Sequence, residues 1–358
     1  MLTFGCLTKL RGRYRILFML TILMVNQFAY GQRGKTGLLN CPPAQCISIT
    51  IKNLLAPAGS TPVFQQAPAG PTPVFQQASL PMPRFTPESR SLPYGTEMGL
   101  VVNKLAADCT LEYSTDNGQS WITGSSFPVL KQGVVLARTR EGNRTSAISS
   151  TTVDVYFQRL FVLGNSIMLN SPVPGLGWYN TNGMAASSLQ NDFVHILERN
   201  LLALNPSLQT KLIAAGGFER SFWTFDYNTS LNEHLNGYAP DLIIVRIGEN
   251  INEAEAANPT HDFKARYRQL LDKMTQFSGR SKVVCTTSFW NQPVASAMIR
   301  EVAAERGYPV ADLYETLYNR PDRNLFRAVT EYTDISVGMH PNDRGMAEIA
   351  RLIWEKIR

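Results

Sequence analysis

The chain has 358 residues, a formal charge of +6 at neutral pH and 44% hydrophobic residues. This length allows two domains and a sizeable core. The first 31 residues carry four basic residues and no acidic ones, so the remainder has a formal charge of only +2. Since nucleic-acid binding calls for a clustered basic face, the composition argues against a nucleic-acid partner.

The N-terminus has the pattern of an export signal. Basic residues from Lys9 to Arg15 precede the apolar run 16–25, and Ala29–Gly31 offers small residues for cleavage. The run is short for a membrane span, which needs about 20 apolar residues. We therefore expect residues 1–31 to be a cleaved signal peptide, so that the protein is secreted or periplasmic without stable membrane insertion. An uncleaved anchor is the alternative.

Four cysteines follow this segment. An oxidising exported setting permits a bridge between Cys41 and Cys46, but the sequence leaves the pairing of the four open. The spacing of that pair lacks a second pair of ligands, so we expect no zinc site. Cys285 lies in an apolar run, which is typical of a buried and inert thiol.

Residues 32–80 are rich in proline and contain a short repeat, Ala-Gly-Ser-Thr-Pro-Val-Phe-Gln-Gln-Ala at 58–67 and a near copy at 69–78. Two copies are too few for a solenoid, and proline-rich chain tends to be extended. The pattern favours a linker, with a protein-binding motif as the alternative.

Residues 81–156 have a β pattern. Cys109–Ser114 alternates, Asn117-Gly118 is typical of a tight hairpin, and Val134–Arg140 predicts a further strand. Short strands with close turns favour a small all-β sandwich. The stretch also resembles the Ig-like accessory modules of exported bacterial proteins, which implies an accessory domain before the rest of the chain.

From residue 157 onward the pattern changes to apolar strands that alternate with helices. This predicts a parallel sheet covered by helices on both faces, in a domain that spans 157–358. The expected strands and helices lie at 160–164, 186–204, 211–215, 241–247, 262–277, 282–288, 294–306, 308–313 and 343–357. In such sheets the functional site lies at the carboxyl ends of the strands.

Three short motifs at or near strand ends have side chains suited to acyl transfer. Gly164-Asn165-Ser166 follows the first strand and offers a hydroxyl nucleophile. Gly248-Glu249-Asn250 follows the strand at 241–247 and offers an amide donor for an oxyanion. His340-Pro341 precedes the last helix and offers a base that works near neutral pH. Each motif alone also occurs as an ordinary cap or turn.

Together and in this order, the motifs resemble those of the SGNH (GDSL-like) hydrolase family, over about residues 159–358. Further stretches strengthen the resemblance: Gly183-Met-Ala-Ala-Ser187, Thr287-Ser-Phe-Trp290 and His340-Pro-Asn-Asp-Arg-Gly-Met346. The resemblance implies a three-layer α/β/α, flavodoxin-like domain, with Ser166 as nucleophile and His340 as general base. It also implies an oxyanion hole formed by Ser166, Asn250 and a glycine of the second block, for which we favour Gly217 over Gly216. No metal or organic cofactor is implied.

Two positions depart from the family pattern. Asn165 replaces an aspartate, and Val337 stands where the acid of the triad usually precedes the histidine by three residues. Asp334 is a candidate substitute acid, and a Ser–His dyad with a backbone carbonyl at the imidazole is the alternative. The similar spacing of Asp192 and His195 is interpreted as incidental, because both lie in a predicted amphipathic helix.

The resemblance implies a serine esterase or deacylase that works through an acyl-enzyme, and an acylated small molecule or polysaccharide as its substrate. Removal of acetyl or other small acyl groups from carbohydrate is our first expectation. Aromatic residues near the motifs could stack on sugars, although packing is the more ordinary role of each: Trp178, Tyr179, Phe222, Trp223 and Trp290. The alternatives are a non-catalytic glycan-binding or adhesion protein and a glycan O-acyltransferase.

Overall fold

The computed structural model describes residues 79–358. The predicted signal peptide, Cys41, Cys46 and most of the predicted linker lie outside the described residues. Within residues 79–358, the helices are all too short or too polar to cross a bilayer.

Nine short strands lie between residues 84 and 156. They are β1 Arg84–Thr86, β2 Ser91–Pro93, β3 Glu97–Val101, β4 Thr110–Ser114, β5 Ile122–Thr123, β6 Ser126–Pro128, β7 Gly133–Glu141, β8 Arg144–Thr145 and β9 Ser149–Tyr156. One sheet has the order β1-β3-β6, and the other has the order β2-β9-β7-β4-β5 with β8 paired to β7.

The turn between β4 and β5 has the backbone conformation that its sequence predicts. Asn117 and Gly118 have φ angles of 58° and 84°, as a turn through Asn-Gly requires, but Tyr113 pairs with Ile122, so the connection is longer than the predicted tight hairpin. Buried residues of both sheets, among them Phe127 and Ala137, belong to one apolar cluster. The Ig-like sandwich and the domain boundaries at 81–156 and 157–358 stay predictions.

The remaining strands form one parallel sheet. They are β10 Arg159–Gly164, β11 Gln209–Ala214, β12 Leu242–Arg246, β13 Lys282–Thr286 and β14 Val310–Ala311, in the order β11-β10-β12-β13-β14. This is the 2-1-3-4-5 order of flavodoxin-like sheets, in which the connections change direction between the first and third strands. Those strands are β10 and β12, so their carboxyl ends border the crevice where such folds bind ligands.

Eight helices accompany the described strands. They are α1 Phe193–Leu202, α2 Gly216–Ser221, α3 Tyr227–Leu235, α4 Glu253–Ala257, α5 Phe263–Thr275, α6 Pro293–Glu305, α7 Ile335–Gly338 and α8 Asp343–Ile357. Short 3₁₀ turns lie at Pro174–Leu176, Leu189–Asn191, Phe222–Thr224 and Arg323–Phe326, and a π-helical turn lies at Tyr314–Tyr318.

Alternate residues of each parallel strand face opposite sides of the sheet. Leu160 and Val162 of β10 belong to one apolar cluster with residues of α1 and α8. Phe161 and Leu163 belong to a second cluster with residues of α5 and α6. Both faces are therefore buried under helices, which confirms the predicted α/β domain with a parallel sheet.

Candidate active site

The predicted nucleophile and the predicted oxyanion donor follow neighbouring strands. Ser166 comes two residues after β10, and Asn250 comes four residues after β12. The two strands pair in register from Leu160 with Leu242 to Gly164 with Arg246. Both residues therefore lie at the carboxyl edge of the sheet, beside the crevice that the strand order predicts.

Ser166 and His340 are brought together although 174 residues separate them in the chain. The Oγ atom of Ser166 lies 2.8 Å from Nε2 of His340, and Nδ1 of His340 lies 2.7 Å from the backbone oxygen of Ser336. A carbonyl oxygen only accepts hydrogen bonds, so Nδ1 must carry the proton. The lone pair of Nε2 is then free to accept the Ser166 hydroxyl proton, which is the tautomer that a general base needs.

Burial keeps the imidazole neutral. The His340 side chain is buried, with 4% relative exposure. Desolvation lowers the pKa of His340 to about 4, against a smaller opposing effect of its bond to the Ser336 carbonyl. The imidazole is therefore unprotonated over the whole range above that value.

The predicted substitute acid does not contact the imidazole. The carboxylate of Asp334 caps helix α7, accepting from the backbone N–H of Ser336 at 2.8 Å and of Val337 at 3.4 Å and from the Ser336 hydroxyl. Its role as the third catalytic residue stays a prediction, and in this structure its carboxylate bonds to the turn and not to the ring. Asp334 holds the turn whose Ser336 carbonyl binds His340.

The segment before His340 is held by its neighbours. The backbone N–H of Ala328 donates to the His340 oxygen at 3.0 Å, and Nε1 of Trp290 donates to the Met339 oxygen at 3.1 Å. The Trp290 ring also lies edge-on to the imidazole, with centroids 5.2 Å apart and planes at 86°. Trp290, at the end of the Thr287–Trp290 stretch, therefore contacts both the base and the residue before it.

A loop packs directly against the nucleophile. The backbone N–H of Met184 donates to the Ser166 oxygen at 2.8 Å. A side chain at Gly183 would place a carbon 2.3 Å from the Ile167 carbonyl oxygen, which no folded structure tolerates. Helix α1 begins at Phe193 rather than at 186 as predicted, because Asp192, in extended conformation, caps its first turn and a separate 3₁₀ turn lies before it.

The two other predicted oxyanion residues lie on the same sheet edge. Asn250 is half-buried, and its Nδ2 donates to Oε2 of Glu219 at 2.8 Å. Gly217 is exposed in the first turn of α2, directly after β11, which pairs with β10. Their roles in an oxyanion hole stay predictions.

A buried polar network that no sequence motif predicted lies behind this edge. Glu249 accepts from Nη1 of Arg246 and from Nδ2 of Asn165, both at 2.6 Å. Asn165 also donates to Glu219 at 3.0 Å. All four side chains are buried, with 5% relative exposure or less. The one hint of this network in the sequence is Asn165, which stands where the family has an aspartate.

Asp192 and His195 form a local pair at a helix start. Asp192 caps α1 through the backbone N–H of His195, and its carboxylate lies 2.7 Å from His195 Nδ1. Asp192 also accepts from the Gly183 N–H at 3.3 Å. Its contacts therefore hold the loop beside Ser166.

The aromatic candidates differ in accessibility. Trp178 and Phe222 are completely buried, with 0% relative exposure, whereas Tyr179 is 69% exposed. Trp223 and Trp290 are half-buried. Packing therefore explains Trp178 and Phe222. Tyr179, Trp223 and Trp290 remain available to a ligand.

Several solved structures are similar to this chain at low identity. A two-domain esterase active on acetylated mannans, co-crystallised with mannopentaose, is 19% identical with a TM-score of 0.41, over 56% of this chain and 48% of that one. The chain thus spans about half the length of that structure. An acetyl xylan esterase is 18% identical with a TM-score of 0.36, over 55% of this chain and 98% of that one.

A third similar structure comes from Corynascus thermopiles (Myceliophthora fergusii). It is a carbohydrate esterase family 2 enzyme with a carbohydrate-binding domain, 14% identical with a TM-score of 0.36, over 74% of this chain and 90% of that one. Among curated proteins, no sequence matches this chain.

The family model of the GDSL-like lipases and acylhydrolases matches residues 162–348. This span covers more than half of the 358 residues and includes Ser166, Asn250 and His340. The chain therefore belongs to the GDSL-like lipase/acylhydrolase family.

Proposed function

We propose that the protein is a serine esterase in which Ser166 is the nucleophile and His340 the general base. The observation that carries this proposal is the 2.8 Å contact between Ser166 Oγ and His340 Nε2. The bond from His340 Nδ1 to the Ser336 carbonyl supports it, because that bond leaves Nε2 as the acceptor.

The reaction has two steps. Nε2 of His340 takes the hydroxyl proton as Ser166 Oγ attacks the ester carbonyl carbon, and the resulting imidazolium then protonates the leaving alcohol as the ester C–O bond breaks. Water attacks the acyl-serine in the second step, giving its proton to His340. The proton returns to Ser166 Oγ when the acid leaves.

The catalytic unit is a Ser–His dyad with a backbone carbonyl in place of the acid. The Ser336 carbonyl orients the imidazole and stabilises its cation through a partial charge only. Burial lowers the pKa of His340 to about 4, and within residues 79–358 no carboxylate is hydrogen-bonded to the ring to favour the protonated form.

Replacing Asp334 with asparagine tests the dyad. Asparagine is as good an N-cap as aspartate, so we expect kcat for p-nitrophenyl acetate to stay within about twofold of wild type. Asp334→Ala removes the cap and is expected to lower stability by about 1 kcal/mol, measured by denaturant unfolding. A loss of kcat in Asp334→Asn of a hundredfold or more would restore Asp334 as a catalytic acid.

Asn250, Gly217 and the Ser166 backbone N–H are proposed to hold the oxyanion. Replacing Asn250 with alanine removes one donor and is expected to lower kcat by roughly 10²–10³-fold, with little change in KM. Steady-state kinetics checks this result. A rise in KM of the same size, with kcat unchanged, would instead assign Asn250 to substrate binding.

We further propose that the acyl group is small and that its carrier is a carbohydrate. The nucleophile is half-buried, and Trp290 packs against its base, which restricts space for a long acyl chain. Tyr179 is exposed beside Trp178, whose ring lies 6.2 Å from that of Tyr332 near the His340 segment. Exposed aromatic rings of this kind suit the apolar faces of sugars.

Export and an accessory role of the β region complete the proposal. The residues of β1 to β9 have an apolar cluster of their own, and Tyr94 stacks on Phe157 at the start of the α/β region, with ring centroids 5.2 Å apart. We propose that residues 81–156 are an Ig-like module and that residues 1–31 direct secretion.

A substrate screen tests the function. Release of acetate should be followed from acetylated xylan, acetylated mannan and p-nitrophenyl acetate, with p-nitrophenyl esters of longer acids alongside and Ser166→Ala as the control. We expect release that depends on Ser166 and falls as the acyl chain lengthens. Faster hydrolysis of long-chain esters, with no release from polysaccharide, would contradict the carbohydrate proposal.

A further inference from the structure

Glu219 is a buried carboxylate that the reaction steps above do not use. It lies in α2 with 0% relative exposure. Its Oε1 accepts from the backbone N–H of Gly248 at 2.8 Å and from Nδ2 of Asn165 at 3.0 Å. Its Oε2 accepts from Nδ2 of Asn250 at 2.8 Å. One side chain thus links the residues after β10 to those after β12.

We propose that Glu219 is a positioning residue for the oxyanion hole, acting through the Asn250 side chain and the Gly248 turn. The inference rests on the proposed function. The Asn250 amide nitrogen carries two hydrogens, and Glu219 takes one of them. This bond sets the rotation of the amide plane and so directs the second hydrogen.

Only a carboxylate satisfies all the partners of this position. Each oxygen of Glu219 faces an N–H donor, and a carboxylate accepts at both oxygens. A glutamine or a protonated glutamic acid presents a donor on one side. That donor would meet either the Asn250 amide or the N–H of Gly248, and the Asn250 amide would be free to turn.

Gly248 itself has little freedom to adjust. Its φ of 141° lies in a region that side chains rarely adopt, and an added Cβ would lie 3.0 Å from the Ser288 Cα. The turn is therefore closely confined against the end of β13. Loss of the Glu219 contact is more readily absorbed by rotation of Asn250 than by movement of this backbone.

The same network gives a physical reason for the amide at position 165. Nδ2 of Asn165 donates to Glu219 at 3.0 Å and to Glu249 at 2.6 Å. An aspartate there would be a third carboxylate facing two others, and among the described residues only Arg246 is a cation bonded to the group. Asparagine in place of the family's aspartate therefore avoids a third negative charge beside Glu219 and Glu249.

Glutamine at position 219 is the most direct test. With p-nitrophenyl acetate, we expect Glu219→Gln to lower kcat by roughly 10–100-fold while KM stays within about twofold, since an oxyanion contact acts in the transition state. Because the effect passes through Asn250, the double variant with Asn250→Ala should be no slower than Asn250→Ala alone. A kcat within twofold of wild type, or a double variant whose losses multiply, would overturn the inference.

Glu112→Gln is the matched control. Glu112 is also a buried carboxylate, bonded to Nε of Arg138 at 2.7 Å and Nε of Arg140 at 2.6 Å within the β region. It should leave kcat unchanged. Ser166→Ala in the same assay separates the two proposals. If that variant is inactive and Glu219→Gln is fully active, only the role of Glu219 fails; wild-type turnover by Ser166→Ala would overturn the esterase mechanism itself.

The pH profiles of the wild type and of Glu219→Gln give a second readout. Burial and the neighbouring Glu249 charge, which Arg246 partly offsets, raise the pKa of Glu219 above its ordinary 4.5, whereas the pKa of His340 is about 4. Protonated Glu219 resembles glutamine, so kcat/KM should fall on the acid side with an apparent pKa above 4.5. In Glu219→Gln this limb should disappear; an acid limb above 4.5 that is the same in wild type and in Glu219→Gln would contradict a role for Glu219.

Discussion

Replacing Ser166 with alanine is expected to lower ester hydrolysis by roughly 10⁴–10⁶-fold. The physical reason is that the acyl-enzyme cannot form without the hydroxyl, and the neighbouring Asn165 and Ile167 offer no other nucleophile. The fold should survive, because alanine fits a half-buried site and the Ser166 backbone oxygen still accepts from Met184. Initial rates with p-nitrophenyl acetate, corrected for spontaneous hydrolysis, measure the effect.

The matched control for this variant is Ser126→Ala. Ser126 lies in β6, and its hydroxyl donates to Glu97 at 3.1 Å on the protein surface. Full activity of Ser126→Ala together with an inactive Ser166→Ala would assign the loss to the nucleophile. Retention of even a tenth of wild-type kcat by a pure, folded Ser166→Ala protein would show that another group attacks the ester.

Replacing His340 with alanine is expected to cost roughly 10⁴–10⁶ in kcat as well, since a serine hydroxyl without a base is a poor nucleophile. The Ser166–His340 double variant should be about as slow as either single variant, because the two residues act as one unit. His195→Ala is the control, as His195 is bonded to Asp192 at the start of α1. Loss of activity in His195→Ala with full activity in His340→Ala would exchange the two assignments.

The buried imidazole also affects stability. In the unfolded chain a histidine has a pKa near 6.5, and in the folded protein the pKa of His340 is about 4. Between these values the unfolded state binds more protons, so the folded state loses stability as the pH falls from about 6.5 towards 4. Above 6.5 this contribution is constant. The His340→Ala variant should show a smaller fall in the free energy of unfolding over the same window.

The sequence predicted most of the parallel sheet because buried strands have an unmistakable apolar pattern. The strand expected at 241–247 is β12 at Leu242–Arg246, and the one expected at 282–288 is β13 at Lys282–Thr286. The last helix, expected at 343–357, matches α8. The five-residue α4 and six-residue α2 were missed, since helices this short have too few turns to show a period.

Side-chain positions at the site were easier to predict than the groups that support them. A residue directly after a parallel strand lies at a known edge of the sheet, which is why Ser166 and Asn250 could be expected to meet. The acceptor for the His340 ring is a backbone oxygen, and any residue at position 336 would supply it. Glu219 stands in a stretch that matches no motif, and its burial depends on tertiary packing that the local sequence pattern does not predict.

Covalent labelling tests the central claim most directly. The wild-type protein should be treated with a fluorophosphonate, digested, and mapped by mass spectrometry, with a known serine hydrolase treated in parallel. We predict one adduct on the peptide that contains Ser166, much slower labelling in His340→Ala and none at that peptide in Ser166→Ala. Absence of any adduct on the wild type while the known hydrolase is labelled, or an adduct at a different residue, would contradict the account.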